Sequence, residues 1–200
     1  MIMRLTQISS ALAVVLFIGC NNNSTPEKND DIVETRKLEG EELVKRGHYL
    51  VTVATCGDCH SPKTMTEHGP VIDSTKMLSG SPAGMPLPPF NPNAVKPGNW
   101  MNMSPDITVF VGPWGASFAA NLTPDSATGI GTWTEDLFIK ALRTGKHMGA
   151  ENGRPILPPM PWEFVNKMTE EDLRSVFAYL KSLPAISNKV RAPIPPNEIK

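Results

Sequence analysis

Three stretches of helical periodicity, set against a middle third crowded with proline and glycine, predict an all-α domain that carries a long irregular insertion. The helical patterns begin at Glu39 or Gly40, at Glu135 and after Thr169. The organising segment is Cys56-Gly57-Asp58-Cys59-His60, which the first helix runs into. The whole chain has 200 residues and a formal net charge of -1, from 19 basic and 20 acidic side chains. No basic run stands out, so nucleic acid is not an expected partner. The 20 prolines and 15 glycines follow no repeat, and 40% of residues are hydrophobic, which excludes a collagen-like or a disordered chain.

Cys56 to His60 reads as C-x-x-C-H, the attachment signature of a covalent c-type haem. Two thiols add across the two vinyl groups on one porphyrin edge, so their sulfurs must share one side of a short segment. Positions i and i+3 of a helical turn satisfy that, and His60 then reaches the iron. A thioredoxin-like pair would want a strand before Cys56, whereas a helical pattern precedes it. A zinc site needs two further ligands at suitable spacing, and the sequence has no second C-x-x-C and no H-x3-5-H.

Residues 1–19 read as a leader: Arg4 supplies the positive charge, and Ala11 to Ile18 is an apolar run too short to span a bilayer comfortably. The sequence Leu16-Phe17-Ile18-Gly19-Cys20 resembles a bacterial lipoprotein cleavage site, with Phe17 and Ile18 departing from the usual residues. Cleavage there makes Cys20 the lipidated N-terminus, and several acyl chains anchor the protein to a membrane. An ordinary secretory signal is the other reading. Residues 20–38 are polar and serve as a flexible tether.

The globular domain is expected over 39–184. In its first helix Leu43, Gly47, Leu50 and Val51 share a face, Glu41 and Glu42 suit the N-terminal dipole, Gly47 suggests the close approach of another helix, and Tyr49 is expected in the core or against a helix. Residues 61–131 form the long irregular insertion, with short strands suggested at Val109–Val111 and Phe118–Leu122. Thr134 caps a helix over Glu135–Thr144 with Leu137, Phe138, Ala141 and Leu142 inward, and Gly145 stops it. Thr169 opens a last helix that runs to Leu183, burying Leu173, Val176, Phe177, Leu180 and Leu183. The proline-rich tail, 185–200, is expected to lie extended on the surface.

A haem iron with His60 on one side needs a choice on the other. Among 10 methionines, Met160 stands apart in Pro158-Pro159-Met160-Pro161-Trp162, where three prolines stiffen the backbone around one thioether. Met85, Met101, Met103 and Met148 remain open as alternatives. So does bis-histidine ligation through His147, His68 or His48, although His48 shares the His60 helix. Trp133, Trp162 and Arg143 are candidates to contact the haem or its propionates; ordinary packing and a solvated guanidinium are the plainer readings.

The order of these features resembles class I cytochromes c. Arg154 to Trp162 followed by Leu173 to Leu183, with Thr132-Trp133-Thr134-Glu135 and Ala141 to Gly145, looks more narrowly like monohaem cytochromes related to the cytochrome c subunits of bacterial periplasmic dehydrogenases. The resemblance covers about Gly40 to Pro184, closely at both ends and loosely between. It implies one haem c, His60 and Met160 as axial iron ligands, and Gly47 crossing the C-terminal helix near Tyr179. It also implies single-electron transfer rather than enzymatic catalysis, in the bacterial cell envelope facing the periplasm, as a free carrier or a dehydrogenase subunit. Redox partners would be a dehydrogenase, a terminal oxidase or another cytochrome. With His and Met both bound, the iron has no open position. The alternative is a haem enzyme or gas sensor with a labile sixth ligand. Apart from the haem ligands, the sequence assembles no catalytic constellation.

Overall fold

The computed structural model describes residues 37–87 and 89–199. The leader over 1–19, Cys20 and the tether up to residue 36 lie outside the described residues. Among the described residues no helix is long and apolar enough to cross a membrane.

Among the described residues five α-helices make the frame. α1 (Gly40–Val53) is followed by the single-turn α2 (Cys56–His60), then α3 (Glu135–Thr144) and α5 (Glu170–Ser182), with the short α4 (Trp162–Val165) between the last two. α1 does not run unbroken into the motif as its periodicity suggests. The chain turns at Thr55, whose φ of 52° lies in the left-handed region, and Asp58 N–H then donates to the Thr55 carbonyl to start α2. The expected caps are in place. Thr134 Oγ1 accepts from Leu137 N–H, Thr169 Oγ1 accepts from Asp172 N–H, and Gly145 ends α3 with φ 65°.

The α1–α5 crossing is the tightest contact of the frame. A Cβ on Gly47 would lie 1.9 Å from the Ser175 carbonyl oxygen and 2.7 Å from Tyr179 Cβ, so only glycine permits this approach. Arg46 and Asp172 close the crossing at 2.8 Å, and Arg174 reaches Glu135 on α3 at 2.8 Å. The core beneath joins Leu50 and Val51 of α1, Phe138 and Leu142 of α3, and Leu173, Val176, Phe177 and Leu180 of α5. Fully burying a side chain of this kind contributes roughly 1.5–3 kcal/mol. Tyr49 is not part of it. Its position falls on the outer side of a helix whose inward residues are Gly47, Leu50 and Val51; it is more than half exposed, with the Arg46 guanidinium over its ring.

The stretch 61–131 departs from the all-α expectation. Its first part is a hairpin of β1 (Lys63–Thr66) and β2 (Gly69–Ile72). Its second is an antiparallel three-stranded sheet, β3 (Asn102–Met103), β4 (Val109–Gly112) and β5 (Gly115–Phe118), in that spatial order. β4 falls where the apolar run suggested a strand. The second suggested strand, Phe118–Leu122, is displaced: the ladder starts at Gly115 and ends at Phe118. Beyond it the backbone bonds to separate loops, Ala119 N–H to the Thr108 carbonyl and Leu122 N–H to the Leu78 carbonyl.

Alternation gives this sheet two faces. Val111 and Ala116, with Phe118, pack on Ala94, Leu87 and Phe90 in a second small core. The opposite face carries Phe110 and Ser117, which are register partners. The tail from Ala185 is extended but does more than cover the surface. Ile194 pairs with Ala116 as an added strand position and joins the second core. Asn188 donates to the Ser79 and Ser81 carbonyls and accepts from Ala83 N–H, stitching the tail to the insertion.

Candidate functional site

Cys56, Cys59 and His60 share the one turn of α2, with the two sulfur-bearing residues at i and i+3. Both thiols are partly buried and neither forms a disulfide. Burial pushes both thiols above the usual cysteine range, with the neighbouring Lys63 pulling Cys59 partly back. A reactive redox pair needs depressed thiols instead, so the environment opposes the thioredoxin-like reading.

His60 Nδ1 lies 2.8 Å from the Ala120 carbonyl. That bond assigns the ring proton to Nδ1 and leaves the Nε2 lone pair free for a metal, the arrangement a ligating imidazole needs. Burial holds the imidazole below its ordinary pKa, the Ala120 carbonyl opposing this, so the ring stays neutral and able to ligate. The motif is tied down on further sides. His60 O accepts from Gly80 N–H, the buried Ser61 Oγ accepts from Leu78 N–H, and the Lys63 ammonium bridges the Asp58 and Asp106 carbonyls. Ala120 and Ser61 escape a reading by side-chain pattern. The first acts through its backbone, and the second is an ordinary serine until the fold buries it.

Met160 stands on the segment between α3 and α4, partly buried and packed against the same helical core that Cys56 borders. Its loop is fastened from both sides. Ile156 N–H donates to the Gly145 carbonyl at 2.7 Å, and Ser117 Oγ donates to the Pro158 carbonyl at 2.6 Å. Trp162, directly after the loop, lays its indole on Gly145, where a Cβ would lie 2.5 Å from the ring.

The other thioethers and imidazoles fall elsewhere. Met85 lines an open groove with Lys189 and Arg191. Met101 and Met103 are 60% and 64% exposed, and Met148 is 43% exposed on a left-handed backbone position. Met168, which no sequence pattern distinguishes, also borders the helical core, in the turn between α4 and α5. His48 packs on Tyr179, His68 projects into solvent beside Glu67, and His147 meets Trp133 edge-on at 5.9 Å. Trp133 borders the core that Cys56 and Met160 border. Arg143 is drawn to α4, where its guanidinium donates to the Asn166 carbonyl and side chain.

The donor set therefore fits a c-type haem: two neutral thiols on one turn, an oriented neutral imidazole following them, and a fastened thioether on the same core. The cytochrome c family profile matches residues 44–184, the span holding both the motif and the methionine loop. The chain belongs to the cytochrome c family. As a member it carries a covalently attached haem c. It is 30% identical over 186 residues to a fructose dehydrogenase cytochrome subunit of Gluconobacter japonicus, a match that covers 91% of this chain and 29% of the relative. It is 31% identical over 137 residues to a gluconate 2-dehydrogenase cytochrome c subunit of Pantoea cypripedii, covering 68% of this chain and 22% of the relative. A third relative is the cytochrome c subunit of an alcohol dehydrogenase (quinone) of Gluconobacter oxydans, at 27% over 139 residues, 70% of this chain and 21% of the relative. The cytochrome thus spans less than a third of the length of these curated relatives.

Proposed function

We propose that this cytochrome passes single electrons through a haem that Cys56 and Cys59 would hold and His60 and Met160 would ligate, receiving them from a dehydrogenase in the bacterial cell envelope. The observation that carries the reading is the pair of fastenings at the two donors: His60 Nδ1 on the Ala120 carbonyl, and the Met160 loop on Ser117 and Gly145. The bound group supplies Fe(III)/Fe(II) cycling, and a neutral thioether favours the reduced state, raising the potential.

The residues contribute orientation and dryness. Cys56 and Cys59 would hold the haem covalently, each thiol S–H adding across one vinyl group so that sulfur and hydrogen both stay in the product. The Ala120 carbonyl fixes the imidazole plane and tautomer through the Nδ1 proton. Leu50, Phe138, Leu142 and their neighbours keep water from the core that Cys56 and Met160 border. No side chain is asked to move a proton, so the protein is an electron-transfer component rather than a catalyst. Support for a dehydrogenase donor comes from the names of the relatives, each a cytochrome subunit of one. A lipid-anchored, periplasm-facing setting rests on the leader pattern that ends at Cys20, with 20–38 as the tether.

Spectra of the purified ferric holoprotein test the ligands. The sulfur-to-iron charge-transfer band at the red end of the spectrum should be present in wild type and absent in Met160→Ala. Carbon monoxide should bind the reduced wild type poorly and the variant readily. Survival of the band in Met160→Ala would sink the assignment and leave Met168 as the thioether next in line. Rapid, full carbon monoxide binding to wild type would favour a labile-ligand haem protein instead.

A further inference from the structure

The loop carrying Met160 is unusually poor in backbone donors. Pro155, Pro158, Pro159 and Pro161 have no N–H, so the segment cannot pair with a neighbouring strand along its length. The backbone anchors lie within the loop and at its two ends: Met160 N–H to the Leu157 carbonyl, Ile156 N–H to the Gly145 carbonyl at its entrance, and Trp162 N–H to the Met160 carbonyl where α4 begins; none reaches the Pro158 carbonyl. A loop with so few N–H groups is held largely by accepting, and the side-chain donor that reaches it from β5 is Ser117.

Ser117 sits on β5 with its side chain on the face opposite the second core. Its hydroxyl donates to the Pro158 carbonyl at 2.6 Å, two residues before Met160. The Trp114 indole N–H donates to the same Oγ at 3.2 Å. With that lone pair occupied, the hydroxyl hydrogen is left for Pro158. Trp114 is itself placed by the hairpin, its ring lying where a Cβ on Gly112 would be, at 2.5 Å. Behind the strand, Ala116 is fully buried and paired with Ile194, so Ser117 projects from a fixed backbone.

The geometry points to Ser117, oriented by Trp114, as a positioning residue that keeps the Met160 thioether in its ligating place, which makes the inserted sheet a brace for the methionine loop. The inference rests on Met160 being the iron ligand. Such a brace shifts the equilibrium between thioether-bound and thioether-free states. It therefore sets how easily an outside ligand displaces the methionine, because the apparent affinity of a competitor scales with the fraction of protein in the open state.

The test is an imidazole titration of ferric holoproteins, following loss of the charge-transfer band. Ser117→Ala should keep the band without imidazole but bind imidazole about tenfold more tightly, the effect expected for losing one partly buried hydrogen bond. Ser117→Thr, which retains the hydroxyl, should return to near the wild-type affinity. Arg46→Ala, which removes a rim ion pair between α1 and α5, should leave the affinity unchanged, separating positioning from general stability. If Ser117→Ala does not accumulate as holoprotein, Trp114→Phe removes the indole N–H and should tighten imidazole binding about twofold to threefold. Wild-type imidazole affinity in Ser117→Ala, or in Trp114→Phe where that variant is the one obtained, overturns the inference while Met160→Ala still abolishes the band. A band that persists in Met160→Ala overturns the ligand assignment itself.

Discussion

The helical frame and the stretch over 61–131 draw on different balances of forces. In the frame, α1, α3 and α5 bury aliphatic and aromatic side chains on one another, and the polar contacts are rim pairs such as Arg46–Asp172 and Arg174–Glu135. Over 61–131, Leu78 and Ile130 enter that same core, and much of the remaining fastening comes from side chains bonded to backbone and to one another. Asp106 accepts from Ser104 Oγ and Thr108 Oγ1, Asn121 donates to the Ile186 carbonyl, and Asn188 grips three backbone groups. Apolar burial tolerates small shifts, whereas hydrogen bonds demand position. A frame of the first kind supplies stability, and a brace of the second kind supplies placement.

The sharpest break of that contrast is Gly47→Leu. With the Ser175 carbonyl 1.9 Å from where a Cβ would stand, α1 and α5 cannot keep their crossing, and the variant should yield no folded holoprotein, read as loss of helical circular dichroism and of haem incorporation. Asn188→Ala should act more gently and elsewhere. Losing its bonds to Ser79, Ser81 and Ala83 costs about 1–3 kcal/mol, with faster amide exchange confined to residues near 79–83 and the tail, while frame amides keep their protection. Faster exchange spread evenly over α1 and α5 would show that the two regions are one cooperative unit.

The smallest effect concerns Asp125, whose carboxylate accepts from the Thr128 hydroxyl at 2.6 Å and the Thr128 N–H at 2.8 Å. The Thr128 hydroxyl, then the backbone N–H groups of Thr128 and Ala127, hold its carboxyl below the ordinary range. A folded pKa below the unfolded one means that the contribution is complete above the unfolded pKa and is lost as pH falls through the folded value. An NMR titration of the Asp125 side chain should show the depressed midpoint. Asp125→Asn should flatten the acid limb of stability against pH and leave the neutral region little changed.

The same contrast explains what could be read from the residues alone. Periodicity reports burial on one face, so α3 with Phe138, Ala141 and Leu142 and α5 with Leu173, Val176, Phe177 and Leu180 fall where their patterns place them. Gly47 announced a close approach because a mid-helix glycine is otherwise unfavourable. The insertion left little such trace. Its strands are two to four residues long, too short for alternation to rise above chance, and they are held by contacts distant in sequence, such as Ala116 with Ile194. Around the candidate haem site, the cysteines, the histidine and the proline-flanked methionine carry chemical signatures. Their supports do not: Ala120 acts through a carbonyl, and Ser117 becomes informative only once β5 turns it towards Pro158.

The crossing of α1 over α5 at Gly47 also bears on how such a domain accommodates so long a stretch between its first and last helices. That contact ties the beginning of the domain to its end and closes a chain loop containing everything between. Loop-closure entropy grows only with the logarithm of length, at about 0.6 kcal/mol for each doubling. Lengthening the middle of the chain therefore costs the frame little stability. The burden falls on folding speed, because the first and last helices must find each other across a longer tether before their contact rewards the search.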